Sequence, residues 1–148
     1  MGLLGDLLGE RTTRVGLFVD GPNVLRSEFD VDLDDLRALA KEDGMLAITR
    51  LYLDEHATPE LIQAAEARGF DVVTTSGDVD VRLAVDATGA VTAGTLDVLV
   101  VASRDADFKP VIERAAEDGL RTVAIAPGSY GRSDALRNAA HRAVTMDD

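Results

Sequence analysis

The sequence predicts an α/β fold in three layers, a mostly parallel sheet with helices on both faces. Three observations predict it. Short apolar runs alternate with amphipathic stretches along most of the chain. The clearest run, Val98-Leu-Val-Val-Ala102, is unbroken and β-branched, as strands covered on both faces are. Acids stand just beyond two such runs: Asp20 after Val15–Val19, and Asp105 and Asp107 after Val98–Ala102. In open α/β sheets, functional groups gather at the carboxyl ends of strands.

Taken in order, residues 1–13 form an N-terminal extension and residues 14–148 the domain. Leu3, Leu4, Leu7 and Leu8 recur at helical spacing. They predict a short amphipathic helix, packed on the domain or on a second copy to make a homodimer. Val15–Val19 is the first strand, followed by a sharp turn at Gly21-Pro22. Leu33, Leu36, Leu39 and Ala40 mark a helix over 32–43 with acids in its first turn and Gly44 at its end. Residues 46–53 read as the second strand. Thr58-Pro59-Glu60 caps and opens a second helix that runs to Gly69, and residues 70–74 read as the third strand. Ser76-Gly-Asp-Val-Asp80 begins a helix reaching Asp86 or beyond, and residues 88–95, small and polar, read as a loop or a frayed end. After the Val98–Ala102 strand, Phe108 opens a helix to Asp118, with Asp107 suited to cap it. Residues 122–126 are the fifth strand, Ser133 caps a last helix, and residues 142–145 form a short final strand.

The 148 residues fit one domain with a real core. No segment is apolar for long enough to span a membrane, so no membrane partner is expected. Met1-Gly2-Leu3-Leu4 has neither the basic start nor the cleavage site of a signal peptide. The chain has no cysteine, which rules out disulfides and thiolate metal sites and fits the cytoplasm. With two histidines, an all-histidine zinc site is excluded. Any metal is therefore held by oxygen, which points to Mg²⁺ or Mn²⁺. The net charge of −12 opposes non-specific contact with nucleic acid. Lys41 and Lys109 are the only lysines. An acidic surface with so little lysine suits a halophilic source, where about 1 M salt screens charges within about 3 Å.

The acids carry the functional reading. Asp20, Asp105 and Asp107 follow strands one and four. If those strands pair at the centre of the sheet, the acids share one crevice. Asp80 projects with the apolar stripe of Leu83, Ala84 and Ala87, near the positive end of its helix. Asp86 lies well around that helix, where periodicity favours solvent or an ion pair with Arg82. Each acid also has a plainer use, in turns, caps or helix-dipole contacts. Together, close carboxylates repel by several kcal/mol unless a cation sits between them. Asn23 and Ser103 are neutral groups placed to orient a carboxylate or a water.

At these residues the chain resembles the NYN domain, closest to its LabA-like branch within the PIN-like nuclease superfamily. The resemblance rests on the strand ending in Asp20-Gly-Pro-Asn23, on Asp78-Val-Asp-Val-Arg-Leu-Ala-Val-Asp86, and on Ser103-Arg-Asp-Ala-Asp-Phe108. It implies a Rossmann-like sheet of order 3-2-1-4-5 and divalent-metal-dependent RNA cleavage. By position it makes Asp20, Asp80, Asp105 and Asp107 the metal-binding, catalytic acids, with Asn23 beside them and Asp86 as a further helix acid. Arg104 stands where the family pattern often has glycine, available to a phosphate or an acid. His141 stands where the family often has aspartate.

Three functions compete. The first is a ribonuclease that uses metal-activated water on a structured or processed RNA. The second is a non-catalytic module of the same fold that binds RNA or protein. The third, phosphoryl transfer through an aspartyl phosphate at Asp105-x-Asp107, ranks last. Strand one ends in Asp-Gly-Pro-Asn rather than Asp-x-Asp, and Ala126-Pro-Gly stands where a receiver domain needs lysine.

Overall fold

A computed structural model describes residues 12–26 and 30–146. The N-terminal leucines, with the helix and dimer contact expected of them, lie outside the described residues. Six strands build one sheet: β1 (Arg14–Asp20), β2 (Met45–Asp54), β3 (Asp71–Thr75), β4 (Val98–Ala102), β5 (Arg121–Ala126) and β6 (Arg142–Thr145). They lie in the order β3-β2-β1-β4-β5-β6, and every neighbouring pair is parallel. The short final strand is thus a true sixth member, which extends the five-strand order that the family resemblance implies. β1 pairs with β2 on one side and β4 on the other, so the chain reverses its direction of winding at the ends of β1 and β4.

Two apolar layers hold the sheet. Val15, Leu17, Val19, Val98, Val100 and Ala102 face α2 (Leu33–Lys41) and α3 (Pro59–Ala67). Phe18, Leu99 and Val101 face α4 (Val79–Thr92), α5 (Lys109–Glu117) and α6 (Asp134–Ala139). Alternate residues of β1 and β4 serve opposite layers, so both faces need apolar side chains. That is why these strands read as unbroken runs. The helix starts follow local chemistry. Asp32, Thr58 and Ser133 accept hydrogen bonds from Asp34, Leu61 and Leu136 N–H, satisfying donors that a first turn leaves open.

Three local expectations need correction. Gly21–Val24 is one helical turn, α1, rather than a plain sharp turn; Pro22 sits in its first positions, where a missing N–H costs nothing. A Cβ on Gly21 would lie 2.3 Å from the Tyr52 carbonyl oxygen, so only glycine lets α1 rest on β2. The α4 helix continues through the stretch read as loop and ends at Thr92, because Ala87 and Val91 are buried against the sheet. Burial there outweighs the weak helix propensity of Thr88, Gly89 and Thr92. Finally, the cap after β4 is Asp105, whose Oδ1 accepts the Asp107 N–H at 2.9 Å. A 3₁₀ turn, Ala106–Phe108, intervenes before α5, so Asp107 falls inside the turn rather than ahead of it.

Candidate metal centre

The sheet brings the acids to one end. Asp20 is the last residue of β1, and β4 lies beside it with Ala102 opposite Val19. The chain leaving β4 therefore passes directly over Asp20. Ser103 Oγ donates to Asp20 Oδ2 at 3.0 Å and accepts the Asp105 N–H at 3.0 Å, so one hydroxyl ties the two strand ends together. The Asn23 backbone N–H also acts on Asp20, favouring its charged form. Asp80 enters from the first turn of α4. Asp80, Asp105 and Asp107 each offer a carboxylate oxygen, and these oxygens lie within 4.8 Å of one another. Asp20, expected as a fourth ligand, is not one of the three; it lies near enough for the charges of Asp105 and Asp80 to act on it.

Electrostatics set Asp20 apart. Asp20 is only 5 % exposed. Burial first, and then the charges of Asp105 and Asp80, push its carboxyl up to about 6, against the lowering effect of Ser103 and Asn23. A site of four carboxylates with this buried member is short of positive charge.

The supporting residues divide. Ser103 and Asn23 lie in the site; Asn23 Oδ1 accepts the Arg104 backbone N–H at 2.7 Å and its Nε at 3.2 Å. The Arg104 guanidinium also lies 5.9 Å from the centre of the Tyr130 ring. Asp86 is elsewhere. It accepts Tyr52 OH at 2.8 Å and pairs with Arg82 at 3.0 Å. Periodicity thus anticipates its partner better than positional matching to the family acid does. Tyr52 is held well above the ordinary phenol range by burial and by that carboxylate. His141 is remote as well: its Nδ1 accepts the Thr122 N–H at 3.0 Å, at the start of β5.

Two further acids were not anticipated. A cleft of about 290 Å³ is lined by Asp54 and Asp78 as well as Asp20, Asn23 and Asp80. Asp54 ends β2, so the same strand-end rule that singles out Asp20 applies to it. Asp78 precedes α4 in a left-handed conformation with φ 50°, which no local sequence signal announces.

Comparison with known proteins agrees with this fold. The chain is 41% identical over 135 residues to the uncharacterized protein MJ0482 of Methanocaldococcus jannaschii, covering 91% of this chain and 56% of that protein. It thus spans little more than half the length of that relative. Its fold matches the crystal structure of a protein of unknown function, VPA0982, from Vibrio parahaemolyticus, with a TM-score of 0.79 over 93% of this chain and 94% of the other at 20% identity. The family model described as NYN domain matches residues 14–147, and on that match, over a parallel sheet with acids at its carboxyl edge, the chain belongs to the NYN domain family within the PIN-like nuclease superfamily.

Proposed function

We propose that the protein is a metal-dependent ribonuclease, with Mg²⁺ or Mn²⁺ held by Asp80, Asp105 and Asp107 near Asp20. The observation that carries this reading is the meeting of three carboxylates within 4.8 Å, drawn from two separate stretches of chain. The donors fit such an ion. All are carboxylate oxygens, the donors that a hard divalent cation takes, and they already lie close together. When bound, the ion supplies an activated water and neutralises charge on the phosphodiester. The side chains do the rest. Asp105 is fixed by its cap bond to Asp107 N–H and, through its own N–H, by Ser103. Ser103 holds the Asp20 carboxylate by a hydrogen bond, and Asn23 holds the strand-four loop through Arg104. RNA as the substrate is supported by the family resemblance.

The test is cleavage of several single-stranded and folded RNAs with Mn²⁺, Mg²⁺ or EDTA, in low and in molar salt. Asp105→Asn keeps the cap, because asparagine caps as well as aspartate. It should lower both cleavage and Mn²⁺ affinity in isothermal titration by about a hundredfold or more. No cleavage of any RNA, with wild type equal to Asp105→Asn, would overturn the reading.

A further inference from the structure

We propose that Tyr130 and Arg104 form a stacking platform for an unpaired RNA base, so that the substrate is single-stranded beside the acid cluster; this rests on the nuclease reading above.

Aromatic residues are few in this chain: four phenylalanines, two tyrosines and no tryptophan. Phe18, Tyr52, Phe70 and Phe108 are buried, while Tyr130 is 64% exposed. Tyr130 belongs to the loop that leaves β5, at the same end of the sheet as Asp20 and Asp105. The loop does not hide the ring against the core. It sets the guanidinium of Arg104 over one face of the ring, 5.9 Å from the ring centre. That arginine is held in place, since its Nε and its backbone N–H both donate to Asn23. Gly131 makes the space: it has φ +66°, and a Cβ there would lie 2.4 Å from Arg104 Nη1. Arg104 in turn sits between Ser103, which bonds Asp20, and Asp105.

This arrangement answers a difficulty of the site. A rim of carboxylates on a chain of net charge −12 repels a polyanion. Arg104 places a fixed positive charge on that rim. Tyr130 adds an attraction that salt does not screen, because any base offers a π-face to stack on an aromatic ring. A base within a duplex is already stacked on its neighbours, so the platform selects an unpaired one.

The experiment is fluorescence anisotropy with a labelled 12-nucleotide RNA of mixed sequence, its blunt duplex, and the same strand with one abasic position. Ca²⁺ replaces Mn²⁺, and gels verify that the probes stay intact. Wild type should favour the single strand over the duplex about tenfold or more. Tyr130→Ala should lose about five- to a hundredfold in affinity, the range that one stacked base supplies. Tyr130→Phe should stay within about twofold of wild type, and the alanine effect should persist in about 1 M KCl. Equal affinity of Tyr130→Ala and wild type, or of duplex and single strand, overturns the proposal. If Mn²⁺-dependent cleavage is present while Tyr130→Ala leaves affinity and KM unchanged, the platform is wrong and the nuclease reading stands. If Tyr130→Ala loses affinity but no RNA is cut, the platform stands and the nuclease reading falls.

Discussion

Asp20 is the residue on which the site turns, and its burial has a thermodynamic signature. Its carboxyl is raised from 3.8 to about 6 in the folded chain. The folded state therefore favours the protonated acid. Stability is undiminished below about pH 4 and falls as pH rises through 6, because ionisation then buries an uncompensated charge. The penalty is on the order of 3 kcal/mol above pH 7. Asp20→Asn removes it and keeps an acceptor for Ser103. In EDTA, the asparagine variant should be more stable than wild type at pH 8 by about 1–3 kcal/mol, with the gap closing by pH 4. Denaturant titrations across that range check it; parallel pH profiles would show that Asp20 is already compensated.

The sequence revealed some residues and not others for a physical reason. Asp20, Asp105 and Asp107 are marked locally, by apolar runs that stop at turn-forming residues. Asp80 is marked by helical period, and so is the separate fate of Asp86. The choice of Asp105 over Asp107 as cap depends on a 3₁₀ turn whose spacing a helical pattern does not encode. Asp78 depends on a backbone conformation. The exposure of Tyr130 depends on what the rest of the chain leaves uncovered.

Among elements, α4 shows how packing overrides local preference. Thr88, Gly89 and Thr92 argue for loop, yet the helix runs on because Ala87 and Val91 are buried in the apolar layer against the sheet. Gly89 is exposed, and a Cβ there would have nothing within 4 Å. Gly89→Ala should therefore stabilise the protein by about 0.5–1 kcal/mol, through a less flexible unfolded chain and better helix propensity. A thermal melt reads this directly, and a destabilised variant would mean that the helix end is misplaced. The bounds of β4, by contrast, are the same in sequence and structure. A strand covered on both faces leaves no polar residue inside it to blur its ends.

On the scale of the molecule, the parallel sheet follows from chain alternation and its order from the family resemblance, but the convergence of acids does not follow from any one segment. It needs β1 and β4 to be neighbours, with α4 packed across β1 and β2. The charge of −12 is likewise a property of the whole. If the source is halophilic, the protein should unfold on dialysis into low salt and recover its melting temperature in molar KCl, because screening removes repulsion at that range. Circular dichroism across a salt series decides this; full stability in dilute buffer would reject a halophilic origin.

Asp43 sits at the opposite end of the sheet from the acid cluster. Its carboxylate is nearly fully covered and binds both Arg121, which begins β5, and Arg142, which begins β6. Two of the chain's cations are thus spent on a single anion at the end where no chemistry is proposed. On the proposed nuclease reading, the acid cluster at the other end draws its divalent cation from solution. On that reading, the supply of dissolved ions is the gatekeeper for a negatively charged strand.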